Sequence, residues 1–580
     1  MSQDQIRGLL GKLSEARMMK HARAISRFVR LSGSDEESRS LDYVREQLEE
    51  SGFEVSKHTF DSYVGLPESA HLAVLSPKKS YSGTAPALSK STPAAGLRAE
   101  LVYLGQGEAY DGVDVHGKVA LIEGLSNPRI AKLAEKNGTI AQVFINDSHA
   151  HEGTTSVVWG TPTPETASEL PQTPSINVTR REGEELRELL RKGLVEVVLR
   201  TRVNNRWRKV PVLVGDLEAG EDFVLLSGHI DSWHYGAMDN AAGNALMLEV
   251  GRVLSRYQEM LRRGLRLAFW SGHSHGRYSG STWYVDNFWG ELYGRCVAHV
   301  NVDSVGAMGA TDLSHQQVMR EAEEFVVTAV REVTGEEALG VRLSRAGDQS
   351  FWGVGITSML CEPSGNPKTR GGESDLTPWG WWWHTEGDTL DKIDKEFLLR
   401  DAKIYLVVVG GLCARRLLPY RFEPTTKEIE DTLRKYARIS RGRLDLAEVV
   451  REAYMLRIQV RRLDEEILKL NNRDDDTRIA NEALKKLGRI LIPVNYTKVG
   501  RFDQDLAVPI PPIPGLEPVS TLAELKPGSN EYRFLATRLR REANRVLHAL
   551  LEARRLTEVV LQEMDEKVRS GGRKKANNRP

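Results

Sequence analysis

Histidine and acidic side chains that could bind a metal are concentrated in one stretch of this sequence. Seven of the 14 histidines lie between residues 229 and 384, and acidic residues follow several apolar runs there. Neutral imidazole and carboxylate together suit zinc, which accepts nitrogen and oxygen ligands and leaves one position open in catalytic sites. The clustering therefore predicts a zinc site. His234, His299 and His315 lie outside any motif, and we expect them to be core or surface residues.

Two neighbouring motifs carry the strongest signal, S-G-H-I-D-S-W at 227–233 and G-A-M-D-N-A-A-G at 236–243. Residues two apart in a strand point to the same side, so Asp231 is expected to reach the ring of His229 and orient it toward a metal. Asp239 precedes a run of small residues that lets a helix begin close by, with its positive end near the carboxylate. We predict Asp239 as a ligand able to bridge two metals.

The elements that must position these residues form an α/β core at 205–418. Apolar strand candidates alternate there with helical patterns, and they read EDFVLLSGHID, RLAFWSG, CVAHVNVD and ITSMLC. This alternation predicts a mostly parallel sheet flanked by helices. Ligands of such sheets bind beyond the carboxyl ends of the strands. The polar residues that end these runs are therefore expected to converge.

The regions on either side of the core differ in character. Helical spacing at 1–62 predicts the first part of the same domain, and short β-branched runs predict a β-rich insert at 63–204. Residues 419–569 are predicted to be a helical domain, with Val450, Tyr454, Ile458 and Ile467 on the apolar face of one long helix. The basic, glycine-containing end at 570–580 is expected to be a disordered tail.

Composition excludes several classes of function for the 580-residue chain. Lys+Arg and Asp+Glu balance at 80 each, so no net field attracts nucleic acid or a membrane surface. The three cysteines, Cys296, Cys361 and Cys413, are too few for a disulfide framework. Apolar runs are far shorter than the roughly 20 residues that cross a bilayer, and no export signal is visible. We expect a cytoplasmic protein with no nucleic-acid or membrane partner.

The order of the motifs resembles the co-catalytic zinc exopeptidases of clan MH, which include bacterial leucyl aminopeptidases and glutamate carboxypeptidase. The motifs that carry this resemblance are His-x-Asp, Asp-Asn-Ala-Ala-Gly, Gly280-Ser281, Asn301-Val302-Asp303 and His384-Thr385-x-x-Asp388-Thr389. Residues 100–200 are similar to the protease-associated domain of that group. Residues 420–570 are similar to the helical dimerisation domain of its glutamate carboxypeptidase and transferrin receptor branch. The resemblance implies a zinc-exopeptidase fold and a homodimer formed through the C-terminal helices.

The resemblance also implies a ligand set for one or two zinc ions. His229 and Asp303 would hold one zinc, His384 would hold the other, and Asp239 would bridge them. The family carries a Glu-Glu pair after the RLAFW strand, the first as general base and the second as a ligand of the zinc held by His384. This chain departs from the family there, because residues 271–276 read S-G-H-S-H-G and contain no acid.

Two registers of this turn are open. Counting back from Gly280-Ser281 places Ser274 at the base position and His275 at the ligand position. Counting forward from the strand places His273 at the base position and Ser274 at the ligand position. Because histidine replaces a carboxylate on zinc better than serine does, we predict His275 as the ligand.

The missing base leaves three possibilities open. Hydrolysis of an amide needs a group that takes a proton from the attacking water and delivers it to the leaving nitrogen. His273 is the nearest candidate, since imidazole performs both transfers near neutral pH. Glu386 is a second candidate, and a third possibility is that hydrolysis has been lost. Asp348, within GDQSFWGVGI, resembles a family segment that lines the substrate pocket, and a turn-capping role fits it equally well.

These observations favour a metal-dependent hydrolase of amide or peptide bonds, an exopeptidase or amidohydrolase that acts on small peptides or acylated amino acids. A non-catalytic dimeric binding protein of the transferrin receptor type is the first alternative, supported by the loss of both glutamates. A single-zinc acyl-transferring enzyme similar to glutaminyl cyclase is the second. The metal content of the protein separates the three.

Overall fold

The computed structural model describes residues 3–360, 376–470 and 477–576. Cys361, one of the three cysteines, lies outside the described residues. None of the helices in these ranges is long and apolar enough to cross a bilayer. The cytoplasmic location stays a prediction.

The strands are β1 (Glu54–Val74), β2 (Lys79–Ser82), β3 (Leu97–Tyr103), β4 (Val119–Glu123), β5 (Ala141–Ile145), β6 (Ser175–Val178), β7 (Glu196–Leu217), β8 (Phe223–His229), β9 (Gly264–Trp270), β10 (Cys296–Asn301), β11 (His315–Val318), β12 (Leu339–Val341) and β13 (Ser358–Leu360). The α-helices are α1 (Gln3–Leu9), α2 (Glu15–Ile25), α3 (Asp35–Glu50), α4 (Pro128–Lys136), α5 (Arg180–Lys192), α6 (Gly243–Ser255), α7 (Ser279–Asn287), α8 (Trp289–Arg295), α9 (Glu323–Thr334), α10 (Lys395–Ala414), α11 (Glu423–Ile439), α12 (Ala447–Leu470), α13 (Arg478–Tyr496), α14 (Val519–Glu524) and α15 (Asn530–Ala576).

The centre of the molecule is the predicted α/β sheet. Its strands run in the order β12-β11-β13-β10-β8-β9-β7, and β13, β10, β8 and β9 are parallel. Every residue of β8, β9 and β10 is buried, as expected for strands covered on both faces. The prediction of a mostly parallel sheet flanked by helices is confirmed.

The alternation of side chains along β8 shows why both faces are covered. Val224 and Leu226 belong to the hydrophobic core that includes α6 and α10. Phe223 and Leu225 belong to a second core, which includes side chains of α7 and α8. Successive residues of a strand point to opposite faces, so an uninterrupted apolar run requires a helical layer on each side.

The region predicted as an insert is joined to the central sheet by two long strands. β1 and β7 pair antiparallel over nearly their whole length and continue beyond the core. β7 then pairs with β3, from which β4, β5 and β6 continue as a parallel sheet. This smaller sheet has its own hydrophobic core. It also carries α4 and α5, so the insert is less purely β than its sequence indicated.

The C-terminal region is helical, as predicted, but the apolar face assigned to α12 is only partly right. Ile467 is buried and Val450 is half-buried, whereas Tyr454 and Ile458 are exposed by 46% and 48%. The buried apolar side chains of α12 recur at alternating spacings of four and three residues, and they are Val449, Ala453, Leu456, Val460, Leu463 and Ile467. α15 continues to Ala576, past residue 570 where a disordered tail was predicted, and residues 577–580 lie outside the described ranges.

Candidate metal centre

The site lies where three neighbouring parallel strands end. β8 ends at His229, and Asp303 is the second residue after the end of β10. β9 ends at Trp270 and leads into the turn that contains His273. Because β9, β8 and β10 are adjacent and parallel, their carboxyl ends bring these side chains to one edge of the sheet, as the sequence predicted.

His229 is held with one ring nitrogen turned toward two carboxylates. Its Nδ1 donates a hydrogen bond to the carbonyl oxygen of Asp231 over 2.9 Å. Its Nε2 lies 3.0 Å from Asp239 Oδ1 and 3.3 Å from Asp303 Oδ1. The hydrogen bond at Nδ1 therefore leaves Nε2 as the nitrogen available to a metal.

The backbone carbonyl of Asp231, rather than its carboxylate, makes the hydrogen bond that orients His229. The carboxylate lies 3.6 Å from His229 Nδ1. It accepts hydrogen bonds from the Ser32 hydroxyl and from the backbone N–H of Ser274, over 2.6 and 3.0 Å, and from that of His273 over 3.3 Å. Asp231 thus fixes the turn after β9 relative to the end of β8.

Asp239 lies between two histidines in the arrangement of a bridging ligand. Its Oδ1 faces His229, and its Oδ2 lies 3.0 Å from His384 Nε2. The carboxylate of Asp388 accepts the backbone N–H groups of Met238 and Asp239, over 2.8 and 3.0 Å. These two hydrogen bonds hold the loop that presents Asp239.

The donor set and its spacing fit zinc. Ligands at about 2.0–2.1 Å from a tetrahedral zinc ion lie about 3.3 Å from one another. The separations of 3.0 and 3.3 Å between His229 Nε2 and its two carboxylate oxygens agree with that spacing. Ligand atoms of His229, His273 and Asp303 also lie within 4.8 Å of one another. These residues can therefore hold a divalent cation.

The pKa shifts of the clustered side chains also indicate a metal site. Burial lowers the pKa of His229, but the charge of Asp303 and hydrogen bonds to nearby carboxylates outweigh burial and raise the pKa well above its usual value. Burial raises the pKa of Asp388 to about 7, helped by the charge of Asp239. Several buried carboxylates lie close together here, and a bound cation would stabilise their ionised forms.

The turn after β9 brings His273 to the site. Its ring stacks on that of His229, with centroids 3.8 Å apart and planes 15° apart. Its Nδ1 lies 2.8 Å from Asp348 Oδ2. The other oxygen of Asp348 accepts the hydroxyl of Ser281 over 2.8 Å. Asp348, assigned to the substrate pocket only by resemblance, therefore contacts the candidate base directly.

His275 does not join this group. Its Nδ1 lies 2.9 Å from the Ser32 hydroxyl, and its Nε2 is buried without a hydrogen-bond partner among the described residues. It does not line the cavity at the site, whereas His273 and Ser274 do. This geometry favours the register in which His273 takes the base position, and the role of His275 as a zinc ligand stays a prediction. Glu386 is exposed on its loop and does not line this cavity.

A cavity of about 290 Å³ opens onto the site. Its walls come from the core, from the insert and from the tryptophan-rich loop before His384. The residues that line it are Leu125, Ser126, Pro128, Glu152, Gly153, Thr154, Trp233, Asp239, His273, Ser274, Arg277, Tyr278, Asp303, Ser304, Ala346, Gly347, Trp379, Trp383 and His384. The cavity is therefore completed by the insert.

The insert also holds the metal-site histidine His384 in place. The N–H of Glu152 donates to the carbonyl of His384 over 2.8 Å, and His384 Nδ1 donates to the carbonyl of Glu152 over 3.0 Å. His151 Nδ1 donates to the carbonyl of Trp383 over 2.5 Å, while its Nε2 lies 2.8 Å from Asp147 Oδ1. The orientation of His384 thus depends on a segment more than 200 residues earlier in the chain.

Sequence reasoning missed Glu152 and Arg277. Glu152 Oε2 is buried without a hydrogen-bond partner among the described residues, and burial raises the pKa of this carboxyl to about 8. Arg277 follows the turn that was analysed for its histidines. No motif surrounds either residue, so nothing in a single sequence indicated that the two share one cavity.

Comparison with known proteins agrees with this architecture. Residues 212–409 match the model of peptidase family M28. A Zea mays protein described as a probable glutamate carboxypeptidase is 25% identical over 255 residues, which cover 40% of this chain and 34% of that protein. The matched part therefore spans about a third of this relative's length.

Two solved structures share the fold. An aminopeptidase from Aneurinibacillus sp. strain AM-1 is 25% identical with a TM-score of 0.54, covering 71% of this chain and 96% of its own. A zinc aminopeptidase from Bacillus subtilis is 22% identical with a TM-score of 0.52, covering 70% of this chain and 96% of its own.

Proposed function

Residues 212–409 constitute a peptidase family M28 domain, and on this premise we propose that the protein is a zinc-dependent exopeptidase that hydrolyses small peptides. The observation that carries the proposal is the position of Asp239 between two histidines. One carboxylate oxygen lies 3.0 Å from His229 Nε2, and the other lies 3.0 Å from His384 Nε2. A carboxylate shared in this way suits two metal ions held side by side.

The residues that would hold the metals are divided between two positions. His229 and Asp303 belong to the first position, His384 belongs to the second, and Asp239 serves both. Zinc bound there would polarise the scissile carbonyl and make water a better nucleophile. The turn at 271–276 after β9 contains no acidic residue, so the second position has fewer strong ligands of its own than the first.

His273 is the general base in this proposal. Asp348 accepts a hydrogen bond from Nδ1, which fixes the tautomer and leaves the other ring nitrogen to take a proton from the attacking water. As the carbon–oxygen bond forms and the carbon–nitrogen bond breaks, His273 delivers that proton to the leaving amine. The imidazole then returns to its starting state, so no external acid or base is consumed.

Loss of both family glutamates favours one other function, a binding protein without catalysis. The two functions separate by experiment, using metal analysis by mass spectrometry and hydrolysis of unblocked peptides by the purified protein. We expect bound zinc and peptide hydrolysis, both of which Asp239→Ala abolishes. Asp114→Ala, which changes an exposed acid of the insert, is the matched control. A well-folded protein without zinc or hydrolysis would establish the binding function instead.

We further propose that the insert is a protease-associated domain and that the protein is a homodimer formed through its C-terminal helices. The exposed apolar side chains of α12, Tyr454, Met455 and Ile458, support this assembly because they form a patch on one face of a long helix. Light scattering of the purified protein tests the proposal. Ile458→Glu is expected to yield monomers, and an unchanged mass for this variant would place the interface elsewhere.

A further inference from the structure

An acidic and a basic side chain line the cavity, and neither has a charged partner at ion-pair distance among the described residues. Glu152 comes from the insert, and Arg277 comes from the segment after the β9 turn. Neither residue is used by the proposed hydrolytic step. Both lie where the insert meets the core, because the N–H of Gly160 in the insert donates to the carbonyl of Arg277 over 2.6 Å.

The carboxylate of Glu152 is held in the cavity by its backbone. The reciprocal hydrogen bonds with His384 fix its main chain, and its side chain is only 14% exposed. The nearest basic group is His234, whose Nε2 lies 3.9 Å from Oε1. Oε2 has no partner among the described residues. A buried carboxylate oxygen without a donor is costly, and a bound donor removes that cost.

Aromatic rings surround the same part of the cavity. Trp233, Trp379 and Trp383 line it together with Glu152. Indole faces attract cations through the ring quadrupole. A bound cation also favours the ionised form of the carboxyl beside them, which then adds a formal negative charge. This combination of groups is suited to an ammonium ion.

Arg277 provides the opposite charge. Its guanidinium has five N–H donors and no acceptor. Nη1 donates to the Tyr278 hydroxyl over 3.2 Å, whereas Nε is buried without a partner, and no carboxylate of the described residues forms an ion pair with the side chain. Arg277 and Tyr278 both adopt positive φ, of 50° and 69°, which side chains rarely allow. This conformation places the guanidinium on the cavity wall.

From these contacts we infer that the cavity selects dipeptides with both ends free, with Glu152 binding the ammonium group and Arg277 binding the terminal carboxylate. The volume of about 290 Å³ lies at the lower end of small-molecule pockets, which suits a substrate of two residues better than a long peptide. This inference rests on the proposed function for its reaction, in which one dipeptide and one water yield two amino acids.

A set of blocked substrates tests the inference on the zinc-loaded protein. The set is an apolar dipeptide, its N-acetyl derivative and its C-terminal amide. We expect the wild type to prefer the unblocked dipeptide at least tenfold in kcat/KM. Glu152→Gln is expected to raise KM for substrates with a free amine and to leave the N-acetyl derivative unaffected. Arg277→Met is expected to raise KM for substrates with a free carboxylate and to leave KM for the C-terminal amide unchanged.

Matched controls and a binding measurement complete the test. Glu165→Gln and Arg256→Met change exposed residues outside the cavity and are expected to leave KM unchanged. Calorimetric titration with the dipeptide separates recognition from catalysis. Binding that weakens in both cavity variants without any hydrolysis would uphold the inference and reject the proposed function. Equal use of blocked and unblocked substrates by the wild type, or KM values that both variants leave unchanged, would overturn the inference.

Discussion

His273 and Asp348 form a hydrogen-bonded pair at the cavity wall, with Nδ1 of the histidine 2.8 Å from Oδ2 of the aspartate. The imidazole is simultaneously stacked on His229, a residue of the candidate metal site. A carboxylate on one ring nitrogen fixes the tautomer of a histidine and stabilises its protonated form during proton transfer. The chain thus places an imidazole–carboxylate pair where the family it resembles has a glutamate.

Replacing His273 with glutamine tests whether this pair transfers the proton. The amide fills similar space but cannot take a proton near neutral pH, so we expect kcat to fall by about 10²–10⁴-fold. Zinc content, measured by mass spectrometry, is expected to stay at the wild-type value. Loss of one zinc per chain would show instead that His273 is a metal ligand, and an unchanged kcat would assign the base to another residue.

Asp348→Asn tests the partner of the base separately. The amide keeps the shape of the carboxylate but removes the charge that orients and stabilises the protonated imidazole. We expect kcat to fall by about 10–100-fold, less than in the histidine variant, with zinc unchanged. A kcat equal to that of the wild type would assign Asp348 to the hydrogen bond with Ser281 alone.

The docking of the insert onto His384 gives a prediction about metal affinity. His151→Ala removes the hydrogen bond to the carbonyl of Trp383, next to His384, together with the contact to Asp147 Oδ1. We expect about 10–100-fold weaker zinc binding, since groups that orient metal ligands have effects of that size. Competition with a chelator measures the affinity. His149→Ala, which removes a ring stacked on Trp381 and a hydrogen bond with the Ser148 hydroxyl, is the control and should bind zinc normally.

The convergence of His229, Asp303 and His273 could be predicted because it depends on local pattern. Fully apolar runs indicate parallel strands, and parallel strands end at one edge of the sheet. The position of Glu152 could not be predicted in this way. It depends on how the insert packs on the loop before His384, a contact between segments distant in sequence. Glu152 takes part in this contact through its backbone N–H and C=O, which residues of nearly every type carry.

The turn after β9 and the surface of α12 show two other limits. A one-residue difference in register decides whether His273 or His275 faces the cavity, and the sequence contains no feature that chooses between them. On α12, Tyr454 and Ile458 are spaced as a helical face, yet the neighbouring face with smaller side chains is the buried one. Apolar spacing identifies a helix, whereas the partner helices decide which face they cover.

Burial of His299 predicts acid sensitivity of the fold. Burial lowers the pKa of this histidine to about 3, against an ordinary value near 6.5, and the charge of Asp348 only partly opposes the shift. Between these two values the unfolded chain binds one proton that the folded chain does not. The free energy of unfolding should therefore fall by about 1.4 kcal/mol per pH unit as the pH drops below 6.5.

Thermal unfolding of the metal-free protein between pH 7 and pH 5 measures this effect. In the His299→Gln variant the side chain at position 299 does not titrate. Its unfolding midpoint should therefore fall less steeply with decreasing pH than that of the wild type. His548→Gln changes a histidine with an 80% exposed side chain and should follow the wild-type slope. Equal slopes in all three proteins would mean that His299 does not contribute to acid unfolding.

The hydrogen bonds of Arg489 allow a prediction about how strongly the C-terminal helices are attached to the core. This buried side chain of α13 donates hydrogen bonds to backbone carbonyls of the core, which belong to Leu292, Tyr293, Cys296 and Gly355. Arg489→Met keeps much of the volume but leaves these acceptors without donors, at about 1–3 kcal/mol for each one that water cannot reach. We expect a clearly lower urea midpoint, with α13 and its neighbours unfolding before the central sheet.

Lys486→Met, on the exposed side of the same helix, should change stability by no more than about 0.5 kcal/mol. If both variants unfolded at the wild-type midpoint, apolar packing alone would hold the helices on the sheet.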